Sequence, residues 1–396
     1  MNLLYVLTTY PPSTGGAQLH QHMLARSLHP VHQIQVVSQW DTNRTDWLLG
    51  TTLRAPAQDK DYTIDGIAVH RLGLSLREKL RIAPFVPLYY PVMDLALPPI
   101  AKCLELHIQP FAANAALIHN VRIGREGLSY AALGAAHKRG IPFVLTPVHH
   151  PRWVGWRYRA YNKLYTMADA VFALTDMERR TLLAIGVDEE RITVTGIGPI
   201  LANRADPAAF LSKHQIEAPF VLFLGQHYLY KGYRQLLQAT ALVWQRIPEA
   251  HFVFIGPPVK HSEQDFALHP DRRIHRLGSV DLQTKTDALA ACTVFCMPST
   301  QESFGGVYTE AWSFAKPVIG CNIPAVAEVI SDGKDGFLVE QEPTQIAERI
   351  CELLLNPAAA QRMGELGQRK VEAHFSWQQI AQRVEQAYQA TLTHSR

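Results

Sequence analysis

Short apolar runs alternate with stretches of helical period from one end of the chain to the other. The runs at 2–8 (NLLYVLT), 34–38 (IQVVS), 67–72 (IAVHRL), 116–120 (ALIHN), 143–148 (FVLTPV), 170–175 (AVFALT) and 192–198 (ITVTGIG) read as buried strands. Near-continuous apolar runs of this length suit strands covered on both faces. Helical patterns lie between several of them, such as 17–29 (AQLHQHMLARSLH) and 128–140 (LSYAALGAAHKRG), the latter closing on a glycine. Repetition of strand and helix predicts an α/β chain built on a doubly wound parallel sheet.

Residues 199–219 (PILANRADPAAFLSKHQIEAP) interrupt this rhythm with prolines and mixed polarity, and read as a linker. The rhythm then restarts: FVLFLG at 220–225, HFVFIG at 251–256, RIHRLGSV at 273–280, an apolar run ending near 297, PVIGC at 317–321 and GFLV at 336–339. A second open α/β sheet therefore follows the first, and from about Pro357 the tail is helical. The expected domains are 1–205 and 206–378, both Rossmann-like and facing across a cleft, with a helix at 379–396 packing back on the first. Open parallel sheets bind ligands beyond the carboxyl ends of their strands, so such a cleft would be the working surface.

Composition sharpens this picture. The chain has 396 residues, of which 47% are hydrophobic and 18% charged, as expected for well-packed domains. A net charge of +3 does not point to nucleic acid. Residues 1–205 carry 21 Lys and Arg against 15 Asp and Glu, whereas residues 206–396 carry 17 against 20. The first half is the basic one, which suits an anionic partner or is plain surface variation. Five scattered cysteines with no short paired spacing argue for reduced thiols and a cytoplasmic home, and against a zinc site. The opening MNLLYVLTTYPP reads as a first strand rather than a signal peptide, and no run is long and apolar enough for a membrane span.

Candidate chemistry falls at strand ends. The first strand leads to Gly15 and Gly16 at the start of a helix, a plausible anion-binding turn. The strand at 220–225 leads to Gly225, Gln226 and, after a short loop, Lys231 and Gly232. A lysine there can reach a pyrophosphate as a point charge. The strand near 294–297 leads to Glu302-Ser-Phe-Gly-Gly-Val-Tyr-Thr-Glu310, two carboxylates separated by seven residues that bracket adjacent glycines. Gly305 and Gly306 let backbone N–H groups approach a phosphate at a helix start. Glu310, expected in the first turn, would accept from sugar hydroxyls, and Glu302 would face whatever lies beyond the phosphates. His149 and His150 follow another strand end and can bind a hydroxyl, assist a proton or simply satisfy local backbone. The run RWVGWRYRAYNKLY, from Arg152, mixes aromatics and cations; it suits a membrane surface, a polar acceptor, or a helix with its aromatic face inward. Residues 74–100 add a basic and then apolar segment. Asp59-Lys60-Asp61 matches a metal-dependent Asp-x-Asp pattern but sits in a polar run expected to be a solvated loop. Gly196-Ile-Gly198 lacks the third glycine of a dinucleotide site, which excludes a dehydrogenase.

With these residues in place, the chain resembles the retaining glycosyltransferases of family 4, which have the GT-B fold of two facing Rossmann-like domains. The likeness runs through the Gly15–Gly16 pair, ADAVFALTDMERRTLLAIGVDEERITVTGIG, FLGQHYLYKGY, MPSTQESFGGVYTEAWSFAKPVIG and the final FSW-bearing helix. It implies a nucleoside-diphosphate sugar as donor substrate, no cofactor and no obligatory metal, and a polysaccharide or lipid-linked glycan as acceptor. It also implies that Glu310 binds the donor ribose. Gly305, Gly306 and Val307 would hold the pyrophosphate, with Lys231 neutralising it. Glu302, Ser303 and Phe304 would meet the transferred sugar, while Gly15 and Gly16 approach the donor phosphate. Gln226, beside Gly225, stands where the family usually has an arginine, and Val148 stands where some members have the first of two histidines. The histidine role therefore stays open between His149 and His150. The implied setting is cytoplasmic with peripheral contact at the inner membrane surface. A nucleotide-sugar epimerase of the same fold and a non-catalytic nucleotide-sugar-binding subunit are the competing readings.

Overall fold

In this computed structural model every residue is described except 14, 42–46, 122–126, 150–152, 218, 303 and 395–396. The chain divides into two compact units, Met1–Gly196 together with Trp377–Arg396, and Ile197–Ser376.

The first unit is an eight-stranded sheet: β1 (Asn2–Leu7), β2 (Gln33–Ser38), β3 (Lys60–Ile64), β4 (Ile67–Arg71), β5 (Leu117–Val121), β6 (Phe143–Thr146), β7 (Ala170–Ala173) and β8 (Ile192–Val194). Their order is β3-β4-β2-β1-β5-β6-β7-β8, all parallel except β3, which pairs antiparallel with β4. β3 was not expected, because a polar edge strand has no apolar run to announce it. Its Asp61 faces His70 Nδ1 at 2.6 Å, while Asp59 accepts the Gly73 N–H at 2.7 Å. The supposed Asp-x-Asp loop is thus an ordinary sheet edge and its turn.

Alternation along β1 divides the core: Leu4 and Val6 pack into one face of the sheet, Leu3, Tyr5 and Leu7 into the other. The second face is covered by α1 (Gly16–Leu28) and by the C-terminal helix Trp377–His394, through Leu24, Leu28, Ile380, Val384 and Tyr388. A buried polar network pins that helix. His119 on β5 contacts the Tyr388 hydroxyl at 2.6 Å and Thr146 Oγ1 at 2.8 Å, and Tyr388 donates to the Tyr5 hydroxyl at 3.2 Å. Burial lowers the His119 pKa to about 3, which keeps the imidazole neutral. On the other side of the sheet lie α2 (Leu76–Ile82), opened by a Ser75–Glu78 capping box, and α3 (Met93–Ala112). Further along, α4 (Asp176–Ile185) is capped by Thr175.

The second unit holds β9 (Phe220–Leu224), β10 (His251–Ile255), β11 (Ile274–Gly278), β12 (Val294–Met297), β13 (Val318–Cys321) and β14 (Gly336–Val339), all parallel, in the order β11-β10-β9-β12-β13-β14. Residues 197–206 run along this unit. Backbone N–H groups of Ile200, Ala202 and Asp206 bond Glu310, Thr286 Oγ1 and Asp287, so the expected boundary at 205/206 falls inside the second unit. The expected linker also contains a helix, α5 (Pro207–His214), started by the Asp206 cap and Pro207 at its first position. Two more helices position the site: α6 (Leu282–Ala291), capped by Asp281, and α7 (Gly306–Trp312). No described helix is long and apolar enough to cross a membrane.

Candidate active site

The second sheet reverses its strand order between β9 and β12, and crevices for ligands open at such switch points. The loops leaving these two strands carry Lys231 and Glu302, and in the structure the two side chains form an ion pair. Both are largely buried, at 19% and 11% exposure. Lys231 sits at the end of a tight turn, Leu229–Lys231, closed by Gly232. Gly232 has φ +81°, and a Cβ there would collide with the Pro298 carbonyl. That close packing locks the β9 loop against the β12 loop. Gly225 donates to the Ile255 carbonyl at 2.9 Å, and Gln226 is exposed beside it.

Gly305 and Gly306 open α7 for different reasons. Gly305 has φ +81°, and a Cβ would strike the Tyr308 ring, so the fold itself requires glycine. Gly306 has room for a methyl group, its nearest neighbour being Ile197 at an ordinary 3.5 Å. Packing alone does not demand glycine there. In unit one, a Cβ on Gly15 would meet the Gln18 side chain, while one on Gly16 would meet nothing within 4 Å.

Because α7 begins at Gly306, Glu310 lies in its second turn rather than its first. There it is buried, at 5% exposure. One carboxylate oxygen, Oε1, takes the Lys285 ammonium at 2.7 Å and the Ile200 N–H at 3.3 Å. The other, Oε2, is buried without a hydrogen-bond partner among the described residues. An unmet buried acceptor costs about 1–3 kcal/mol, a cost that any hydrogen-bond donor reaching Oε2 would relieve. Lys285 on α6 had no signal in the sequence: a single lysine on a helix acquires meaning only when the fold sets it beside Glu310.

Phe304 departs from expectation. It is 3% exposed and packs edge-on against Phe375 with centroids 5.3 Å apart, so it belongs to the core. Ser303 and His150 lie outside the described residues. His149 is 7% exposed, with Nδ1 3.3 Å from the Tyr165 hydroxyl and its ring edge-on to Trp153 and Tyr165. Its backbone N–H donates to Glu178 at 2.6 Å, as does that of Leu174. Burial pushes the Glu178 carboxyl up to about 7, and these two donors pull against that rise. Just before His149, Val148 holds φ +50°, a conformation rare for a β-branched residue. The aromatic run from Trp153 turns its rings inward: Trp153, Tyr158 and Tyr161 pack on one another, while Trp156 stays 56% exposed.

The structure thus brings Lys231 to Glu302 and Lys285 to Glu310 around the start of α7. The Gly15–Gly16 turn and His149 belong to the other unit.

Comparison with known proteins agrees with this layout. Residues 15–198 match the glycosyl transferase 4-like domain, and residues 209–370 match glycosyl transferases group 1. Spore coat protein SA of Bacillus subtilis is 29% identical over 188 residues, covering 43% of this chain and 48% of that one. A phosphatidyl-myo-inositol mannosyltransferase of Mycobacterium tuberculosis is 28% identical over 225 residues, covering 55% and 58%. The chain spans about half the length of the curated relatives it matches. Among solved structures, Anabaena HepE in complex with UDP and glucose superposes with a TM-score of 0.72 at 19% identity, covering 98% and 100% of the two chains. Sucrose-phosphate synthase from Thermosynechococcus elongatus does so with 0.75 at 19% identity, covering 100% of both. With a 4-like domain in its first half, a group 1 domain in its second and both sheets in place, the chain belongs to the GT-B glycosyltransferases of the family 4 type.

Proposed function

We propose that this protein moves a hexosyl group from a nucleoside-diphosphate sugar to a hydroxyl of a polysaccharide or lipid-linked glycan, with retention of configuration and no obligatory metal. The observation that carries the reading is Glu310 Oε2, a buried carboxylate oxygen left without a partner beside a glycine-opened helix. Ribose hydroxyls are the donors that would satisfy it. Lys285 holds the carboxylate in place from the opposite side.

The backbone N–H groups of Gly306 and Val307 lie in the first turn of α7, without an intrahelical partner, and among the described residues no side chain caps that turn, so they would meet the diphosphate oxygens. Gly305 shapes the approach, and Lys231 adds the positive charge. The ammonium is already held by Glu302, so it would stabilise the leaving diphosphate without reorganising. Glu302 then faces the hexose. In the reaction the anomeric C–O bond to the β-phosphate breaks, and the acceptor oxygen bonds to the same face. The acceptor proton passes to the departing phosphate oxygen, so no enzyme nucleophile is required. Gly15, Gly16, Gln226, Ser303 and the His149–His150 pair remain donor or catalytic candidates on the family's pattern.

Peripheral attachment to an anionic bilayer surface belongs to the same reading. On α2, Leu76 and Leu80 are 72% and 65% exposed, with Arg77 and Arg81 exposed alongside them. The other side of the helix is engaged by the protein: Glu78 meets His107 at 2.7 Å and Ile82 is buried. Two leucines flanked by two arginines complement a lipid surface carrying negative headgroups. A relative whose name joins mannosyl transfer to phosphatidyl-myo-inositol supports an acceptor of that kind.

The test is Glu302→Ala. Transfer from the donor should disappear while the nucleoside diphosphate still binds. A variant that keeps full transfer activity overturns the assignment. Consumption of the nucleotide sugar without any acceptor would favour an epimerase instead.

A further inference from the structure

The β9 loop carries something the donor site does not use. Tyr228 and Tyr230 stack with ring centroids 5.5 Å apart and planes 15° from parallel. Tyr228 is 40% exposed and Leu229 44%. Large aromatic side chains usually turn inward, so two held together at the surface beside a binding site need a reason.

The loop presents them rigidly. Tyr228 N–H donates to the Gln226 carbonyl at 2.7 Å, Lys231 N–H to Tyr228 at 2.9 Å and Gly232 N–H to Leu229 at 3.0 Å. The Tyr230 carbonyl accepts from Thr300 N–H at 2.8 Å and from Gln341 Nε2 at 3.1 Å, tying the loop to the β12 and β14 sides. Lys231 Nζ lies 5.6 Å from the Tyr230 ring centroid, so the aromatic pair adjoins the Lys231–Glu302 pair.

We propose that Tyr228 and Tyr230 form a stacking platform for a neutral sugar ring of the acceptor, next to the point of transfer. This rests on the donor-site reading above and names the acceptor class. A pyranose offers an apolar C–H face rimmed by hydroxyls, and tyrosine matches it with an apolar ring and one polar tip. Holding two rings in place beforehand lowers the ordering cost of binding. Position distinguishes the occupants. The platform adjoins Lys231 and Glu302, where the transferred sugar is placed, and not Glu310 and Lys285, where the ribose is placed. A nucleobase therefore fits it poorly. Tyr228, Leu229 and Tyr230 bring no charge of their own, which favours a neutral ring over an anionic one.

The experiment is an array of immobilised neutral and anionic oligosaccharides, probed with the full chain at saturating nucleoside diphosphate. Wild-type protein should retain neutral glycans. Tyr228→Ala should bind them about tenfold more weakly, and Tyr228→Phe should bind like wild type, because the ring face and not the hydroxyl is the contact. Both variants should keep the full nucleotide-induced rise in melting temperature, which shows that they fold and that the donor site is intact. A wild-type protein that is stabilised by nucleotide yet binds no neutral glycan overturns the platform and leaves the donor site standing. So does Tyr228→Ala with undiminished glycan binding. If no nucleotide stabilises the wild type, the donor-site reading fails and the platform with it.

Discussion

Glu310 offers the sharpest separation of folding from binding. Its carboxylate is 7% exposed at the side chain and holds Lys285, itself 18% exposed, at 2.7 Å. Glu310→Ala strips the partner from a mostly buried ammonium and leaves the Ile200 N–H unmet. A fully buried pair broken in this way costs about 3–5 kcal/mol; the partial exposure of Lys285 brings the expectation to about 2–4 kcal/mol. In a unit of this size each kcal/mol is worth roughly 2–4 °C, so the midpoint should fall by roughly 5–15 °C. Glu310→Gln keeps an oxygen for Lys285 and should cost less than about 1.5 kcal/mol in stability. It replaces the charged acceptor offered to the ribose, however. A hydrogen bond to a charged group contributes about 1.5–3 kcal/mol, so nucleotide affinity should drop roughly 10- to 150-fold. Differential scanning calorimetry reads the first effect and isothermal titration with the nucleoside diphosphate the second. The reasoning is refuted if Glu310→Ala melts like wild type, or if Glu310→Gln binds nucleotide with unchanged affinity.

Other predictions follow from the same geometry. Glu178 has a folded-state pKa raised from 4.5 to about 7, chiefly by burial, so between these values the folded protein binds more protons than the unfolded one. This group therefore makes stability fall as pH rises from about 4.5 to 7, with its full cost present above pH 7; a wild type and a Glu178→Gln variant with parallel stability–pH curves would contradict it. Tyr388→Phe removes the hydroxyl that His119 and Tyr5 share, and should lower stability by about 1–3 kcal/mol in urea denaturation; a loss near zero would mean the network does not pin the C-terminal helix. The wild type should sediment with vesicles containing phosphatidylglycerol and not with pure phosphatidylcholine, and Arg77→Glu with Arg81→Glu should weaken that binding by at least about 30-fold, at about 1 kcal/mol per arginine removed. Equal binding to both vesicle types would refute the electrostatic contact.

The strand–helix rhythm made both sheets legible, since a buried parallel strand declares itself as a short apolar run wherever it occurs. What escaped were features that depend on neighbours or on short polar signals. β3 is an edge strand exposed at three of its five positions and fully buried at none, which in sequence looks like a loop. α5 lay inside the supposed linker, although Asp206-Pro207 is a helix-start signal that could have revealed it. In the site, the Glu302–Glu310 spacing and the adjacent glycines stood out, because backbone approach and carboxylate placement are local properties. The partners of those carboxylates did not. Lys285 reaches Glu310 from a different helix, and Lys231 reaches Glu302 across the gap between two strands, so only the assembled sheet reveals either pair. The inward turn of Phe304 onto Phe375 and the burial of His149 beneath Trp153 and Tyr165 were hidden for the same reason.

The central claim is a donor site for a nucleoside-diphosphate sugar in the second unit, built without a metal. Thermal melting of the wild-type chain with UDP, GDP and ADP, each with and without Mg²⁺, tests it most directly. A nucleotide at one hundred times its dissociation constant adds about 2.7 kcal/mol, which for a unit of this size is a shift of roughly 5–10 °C. The account predicts that shift with one of the three nucleotides and no change when Mg²⁺ is added or chelated. Melting curves that none of the three nucleotides moves, or a shift that appears only with Mg²⁺, would contradict it.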